Sequence, residues 1–474
     1  MVKVLKKIFT SIVVTVLVVQ SAGAEQKTAE QLQQEMLLQR ATQAVFWGMP
    51  AASMMALRRG IERDLGADFH DIVYMSQPMV ARHTFLTANN QTPYVIAMLD
   101  TTQGPVVVEV PPASPKAIFF GSANDAWMVP VVDIGPRGED AGKGGKYLFL
   151  PPGYDQPTPE DYLVSRPATF HVYVALRPVA IGEGSMSDVV EYSKRLKVFP
   201  LAEAVNPEPN KYIDAYPLAW STIPGFDLGF FQDIARIVAE EPVQPRDLAM
   251  MGMLSSLGIQ KDKPFAPDED MVNSLTQGAA LAEAVLQENF LTPGRTTVTF
   301  WPDGQWGRFN LSPATLAGSF TFVDDTQLLI DERAQTFHWL TFPPKKLGKS
   351  SFYLVSMRDE SGTLLDGHSA YQLQIPPGVP VSQFWSVNTY STSTKSFITD
   401  VPKVGISSYE KESLQYNTDG SIDLYFGPDK SLVPAGRESN WLPTGENFFL
   451  MFRFYGPQPE LFQKTWRMPD LKPL

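Results

Sequence analysis

Forty prolines and 33 glycines restrict what this chain can build before any motif is read. Proline removes a backbone donor and interrupts helices and central strands, while glycine marks turns. Between them lie short apolar runs, many with the period-two alternation of half-buried strands. One series occupies 71–76, 94–99, 106–110, 117–121, 128–133, 146–150 and 170–177. A second occupies 296–300, 306–310, 351–358, 371–375, 384–389, 414–416, 422–426 and 448–455. Asp100 to Gly104 reads as the turn of a hairpin, as do Pro302-Asp303-Gly304 and Asn417 to Ser421. The spacing predicts a mainly β protein with inserted helices, arranged as two jelly-roll-like β-sandwich domains.

Helical spacing appears in two places. Leu32, Met36, Leu37 and Ala41 lead into Val45-Phe46-Trp47, and the pattern resumes after Pro50 to Leu65. Further candidates are 187–197, 226–240, 245–257 and 268–290, the first with Ser187 as its N-cap. The expected division is N-terminal helices over 25–66, a first β domain over 67–186, a helical connection over 187–295 and a second β domain over 296–474. Leu148-Phe149-Leu150-Pro151-Pro152-Gly153 echoes Leu373-Gln374-Ile375-Pro376-Pro377-Gly378, as two related β units would.

Residues 1–24 read as an export signal. Lys3, Lys6 and Lys7 precede the apolar run Ile8 to Val19, and Ala22-Gly23-Ala24 offers small side chains to a peptidase. The run is shorter than the roughly 20 residues that span a bilayer, so the mature chain is expected to begin at Glu25, periplasmic or secreted. Losing the leader moves the net charge from -12 to -15, because it carries three lysines and no acid. An acidic surface repels phosphodiesters and anionic lipid, so no nucleic-acid partner and no stable membrane insertion after signal cleavage are expected. The absence of cysteine excludes disulfides and thiolate-held metals.

The richest segment for chemistry is 124–154. Glycines at 135, 138, 142, 144 and 145 allow backbone N–H groups to converge on an anion, with Lys143 and Lys146 adding charge. Asp133, Glu139 and Asp140 offer oxygen ligands to a divalent cation instead, without EF-hand spacing. On the following strand His171, Tyr173 and Arg177 share a face by alternation, a pairing suited to a carboxylate or phosphate. Both segments also have a plain structural reading, as a solvated loop and as a strand with core ion pairs. Neither a Gly-x-Ser-x-Gly elbow nor a His-Glu-x-x-His helix is present. Trp301, Trp306, Trp339, Trp385, Trp441 and Trp466 can stack on sugars or fill cores.

Several of these signatures resemble known families. Asp125-Ala126-Trp127, Gly145-Lys146-Tyr147, Pro151-Pro152-Gly153-Tyr154 and Arg166-Pro167 resemble the bacterial domain of unknown function number 1254. Asn417 to Ser421, Asn440-Trp441-Leu442-Pro443 and Phe452 to Pro457, with Trp466 and Pro469, resemble its usual partner, number 1214. The resemblance implies an exported protein of two jelly-roll-like domains, with which homo-trimeric assembly is compatible. It transfers no catalytic residue.

Three functions are in view. The first is a periplasmic protein holding a small polar or anionic molecule (polyol, sugar or phosphate type) between the two domains, through Asp125, Lys146, Tyr147, Arg166, His171 and Arg177. The second is a metal-assisted hydrolase of phosphate or related esters, with Asp133 and Asp140 on the metal. The third is a self-assembling structural protein. No cofactor is named by any motif.

Overall fold

The computed structural model describes residues 27–348 and 350–474, so the expected leader lies outside the described residues. Strands β1 to β10 run Ile72–Tyr74, Val95–Asp100, Val106–Val110, Ala117–Asp125, Pro130–Ile134, Gly145–Phe149, Leu163–Ser165, His171–Ala180, Lys197–Pro200 and Tyr212–Asp214. Strands β11 to β20 run Thr297–Thr299, Gly307–Phe309, Ser351–Ser356, Tyr371–Ile375, Val381–Ser391, Gly405–Ser407, Ile422–Gly427, Trp441–Pro443, Phe448–Pro457 and Lys472–Pro473. The chain is mainly β with inserted helices, and its strands form two jelly-roll-like β-sandwich units. Each unit pairs a six-stranded with a four-stranded sheet.

The first unit has the orders β10-β1-β2-β8-β4-β5 and β9-β3-β6-β7. The second has β11-β12-β13-β19-β15-β16 and β18-β17-β14-β20. Read in chain order, β1 to β9 and β12 to β20 take up the same places, including the parallel pairs β6–β7 and β17–β18. The chain therefore contains the same sandwich twice. The repeat sits in a different register from the echo in the sequence. β3 corresponds to β14, and each is followed by a proline pair, Pro111-Pro112 and Pro376-Pro377; Pro151-Pro152 follows β6 instead.

Two expectations are corrected. The run 106–110 does not form a hairpin with 94–99, because β2 pairs with β1 and β8 while β3 pairs with β9 and β6. The Asp100–Gly104 turn carries the chain from one sheet to the other. The first unit also draws strands from the stretch read as a helical connection: β9 pairs with β3, and β10 lies parallel to β1. These runs are short and Pro-flanked, so their periodicity is hard to see. The hairpin around Pro302-Asp303-Gly304 is present, with Thr297 opposite Phe309.

Helices fill the space between the units. Helix α1 (Ala29–Arg59) starts from a capping box of Thr28 and Gln31 and continues through Pro50 into a π-helical turn at Gly60–Asp64. From Ala44 to Arg58 every residue is buried, so this segment has no solvent face and is core in all directions. The other helices are α2 (Met186–Ser193), α3 (Leu228–Glu240), α4 (Leu248–Ser255), α5 (Glu269–Leu291), α6 (Pro313–Ala317), α7 (Ile330–Phe337) and α8 (Pro459–Phe462). The N-cap of α2 is Ser185, boxed with Asp188, rather than Ser187.

Alternation along the six-stranded sheets separates three cores. In the first unit Val95, Ala97, Val172 and Val174 face the four-stranded sheet, while Ile96, Met98 and Tyr173 face the helices. In the second unit Leu450, Phe452 and Phe454 point inward, while Phe449 and Met451 join the same helical core. Both six-stranded sheets thus turn an outer face toward the helices. No described helix is long and apolar enough to cross a membrane.

Close helix packing depends on missing side chains. A Cβ on Gly278 of α5 would lie 2.4 Å from the Ala41 Cβ of α1, and one on Gly48 would lie 2.3 Å from Ile234 of α3. Gly278→Val should therefore lower unfolding stability by about 2–4 kcal/mol, since overpacking forces α1 and α5 apart. Urea unfolding of the purified variant checks this, and an unchanged midpoint would contradict it.

Candidate functional site

The residues singled out in the sequence spread over the first unit instead of converging. Asp140 braces its own loop: Oδ1 accepts the Gly135 N–H (2.7 Å) and the Tyr147 hydroxyl (2.9 Å), and Oδ2 accepts the Gly144 N–H (3.2 Å). Asp133 accepts the N–H groups of Lys345 (2.7 Å) and Lys346 (2.8 Å), tying β5 to the segment of the second unit that leads into β13. Both expected metal ligands are thereby used by the fold. Among the described residues no group of three or more His, Asp or Glu side chains is placed to hold a metal. Lys146 reaches over Tyr162, and Arg166 donates to the Tyr154 carbonyl at the surface. The glycine-rich loop is thus folded around its own aspartate, and Tyr147 is buried by it.

Asp125 and His171 do come near each other, at adjacent edges of β4 and β8. His171 Nδ1 lies 2.6 Å from Glu241 Oε1, which also accepts the His171 N–H at 3.1 Å. Phe69 stacks on the imidazole, and Arg58 of α1 binds Glu62 and Glu240 beside it. This network joins β8 to the end of α3 and has the form of a structural tie. Asp125 Oδ1 accepts the N–H groups of Trp127 (2.9 Å) and Val129 (3.0 Å). Burial raises its carboxyl to about 6 despite these two bonds.

Arg177 lies elsewhere, at the seam where the outer faces of the two six-stranded sheets meet. Its guanidinium donates through Nε (2.8 Å) and Nη2 (2.5 Å) to Thr92 Oγ1 and lies over the Tyr94 ring at 5.6 Å. Arg453 occupies the corresponding place in the second unit. Tyr353 is its cross-strand neighbour, and its guanidinium sits 5.4 Å from that ring and 5.6 Å from Tyr390. The register that sets Val95 opposite Leu176 brings Tyr94 beside Arg177 in the same way. The repeat has therefore delivered the same arginine–tyrosine pair to the seam twice.

The two arginines are used differently. Arg453 is 3% exposed and fully engaged, donating to Asn388 Oδ1 (2.7 Å) and to the carbonyls of Thr87 (3.0 Å) and Ala88 (3.2 Å). It fastens the loop before β2 to the second unit, helped by Asn89 Nδ2 to the Tyr455 hydroxyl at 2.6 Å and Asn388 Nδ2 to Asn90 Oδ1 at 2.8 Å. Arg177 is only partly buried, among the likewise half-buried Tyr94, Tyr353 and Tyr455. Neither guanidinium has a carboxylate partner among the described residues. Tyr455 is stacked on Phe384 at 4.0 Å, which fixes the wall of the seam. The seam thus offers a positive group and phenolic donors with no acid to oppose an incoming anion. Sequence reading found Arg177 but missed Arg453, because only the strand register relates them.

A second unusual cation lies near the helices. Lys395, 2% exposed, extends inward to Gln287 Oε1, the Ser393 carbonyl (3.0 Å) and His338 Nε2 (3.1 Å). Burial lowers its pKa to about 7, with Glu283 opposing weakly.

With the duplicated sandwich and its seam in view, the chain can be placed among known proteins. Residues 69–200 match the family described as protein of unknown function (DUF1254), and residues 350–459 match protein of unknown function (DUF1214). The chain is a tandem of these two domains in that order. No curated protein matches it. The VPA0106 protein from Vibrio parahaemolyticus has a similar crystal structure, 18% identical, with a TM-score of 0.55 over 92% of this chain and 100% of that one. An uncharacterized protein from Burkholderia cenocepacia is 12% identical, with a TM-score of 0.38 over 94% of this chain and 95% of its own. The first likeness shows a shared fold.

Two buried charges give checkable consequences. Asp125→Asn keeps both Oδ1 bonds and removes a carboxylate whose pKa is raised, so its ionisation costs stability above pH 6. The variant should be more stable than wild type by about 1–3 kcal/mol at pH 7.5, and the gain should shrink as pH falls from 6 toward 4. For Lys395 the folded pKa lies below the unfolded one, so between pH 7 and 10 the unfolded chain holds the extra proton. Stability should rise with pH by up to about 1.4 kcal/mol per unit in that window. Urea titrations at several pH values test both; a Lys395→Met variant should lose the alkaline rise.

Proposed function

We propose that this is an exported, periplasmic protein that binds a small anion in the seam between its two β-sandwich units. The observation that carries the reading is Arg177. A guanidinium held half-buried among tyrosines, with no acid beside it, has lost part of its hydration without gaining a counter-charge. Carboxylate or phosphate oxygens would accept the guanidinium N–H groups that Thr92 leaves free and the nearby phenolic O–H groups. Arg453, sealed behind it, adds positive potential that low-dielectric surroundings strengthen. The leader-like residues 1–24 support the export part.

The test uses purified mature protein with phosphate, sulfate, acetate and succinate as probes, read by calorimetry and thermal shift at low ionic strength. At least one anion should bind, and Arg177→Gln should weaken it by about 2 kcal/mol, roughly thirtyfold, with little change in unfolding midpoint. Binding that survives in Arg177→Gln, or no binding by any of the four anions, would overturn the reading.

A further inference from the structure

We infer that the chain has a second ligand site, a cleft between the helices and the edge of the second β unit that takes a neutral polyol such as a single sugar ring. The cleft has a volume of about 330 Å³, at the lower end of the range of small-molecule pockets, about 300–1,000 Å³. Three pieces of chain form it: the end of α5 with the turn to β11, the segment leaving β12, and α7 with the residues after it.

One wall is apolar. Phe309 and Trp339 meet edge to face at 4.7 Å, and Leu311 and Leu340 extend the surface. Trp339 is held from behind by Phe290, 5.7 Å away, so the wall is rigid. Such a surface suits the C–H face of a sugar ring.

The polar lining consists mainly of acceptors. Asp331 is exposed at the rim. Glu332 gives Oε1 to the Ser312 N–H at 2.8 Å, which leaves its second oxygen available. Asn310 commits its amide nitrogen to the carbonyls of Gly294 (2.9 Å) and Arg295 (3.0 Å), so its oxygen is what remains. Gln335 donates its nitrogen to the Leu286 carbonyl at 3.3 Å, and its buried Oε1 has no partner. That oxygen is closed off from water, so the free oxygens of Glu332 and Asn310 are the acceptors that meet an incoming group, and each requires a donor. Hydroxyl groups meet that requirement, because each donates one hydrogen and also accepts from a group such as Arg295.

The charge pattern separates this site from the seam. Two carboxylates against the single Arg295 disfavour an anion, whereas the seam presents cations and phenols. A ligand of the seam should therefore be rejected by the cleft, and a polyol of the cleft has no reason to enter the seam. The inference stands independently of the anion reading.

The experiment titrates glucose, galactose, mannose and myo-inositol into the mature protein, read by tryptophan fluorescence and calorimetry, with ethylammonium as a cationic comparison. At least one polyol should bind, and Glu332→Gln and Asp331→Ala should each weaken it by ~10-fold or more. Arg177→Gln should leave polyol binding unchanged. Failure of all four polyols, binding by ethylammonium alone, or binding unaffected by either cleft variant would overturn the inference. Thermal unfolding of each variant separates lost binding from lost structure.

Discussion

The architecture depends on one buried helix. Each sandwich has a six-stranded sheet whose outer face is apolar, and water cannot cover those faces cheaply. Helix α1 is the centre of the helical layer that covers them, packed against α3, α5 and α7, with every residue from Ala44 to Arg58 removed from solvent. The cost of burying so much backbone is small, because a helix satisfies its own N–H and C=O groups. Its one charged residue in that stretch, Arg58, is neutralised by Glu62 and Glu240. Glycines at 48 and 278 let neighbouring helices approach until side chains nearly touch backbone.

Much of this was legible in the sequence, and the failures are instructive. Strand positions such as Val106–Val110 and Tyr371–Ile375 emerge from the apolar runs, and the helical runs 226–240 and 268–290 fall on α3 and α5. Sheet membership was not legible. A turn such as Asp100–Gly104 looks the same whether the chain folds back on its neighbour or steps to the opposite sheet. The candidate site was misjudged for a related reason. Asp133, Asp140, Lys146 and Arg166 are close along the chain, but the loop closes on Asp140 and the strand ends point elsewhere. Arg177 stood out because alternation sets it on one strand face with His171 and Tyr173. Its counterpart Arg453 is 276 residues distant and is recognised only once both strand registers are known.

Buried charge is distributed unevenly. Around α1 and α3 it is paired, with His171, Glu240, Glu241 and Arg58 forming one network. At the seam and at Lys395 it is not paired with acids, and carbonyls and aromatic rings take that part. Buried ions lacking counter-ions weaken a fold relative to apolar residues of similar size. Asp125 belongs to the same group: an asparagine would make both of its hydrogen bonds without the desolvation penalty.

The sandwich repeat has a consequence for how the seam can evolve. Two identical sandwiches associating as a dimer would present each contact residue in duplicate, so any change would act on both sides together. Joined in one polypeptide, the halves meet at an effective concentration set by the connection rather than by expression level. Each copy is also encoded separately. One arginine has accordingly become an internal rivet holding a loop, while its twin has kept access to water. Covalent linkage thus converts a symmetric contact into a directional one, with an inside and an outside that mirrored subunits could not maintain.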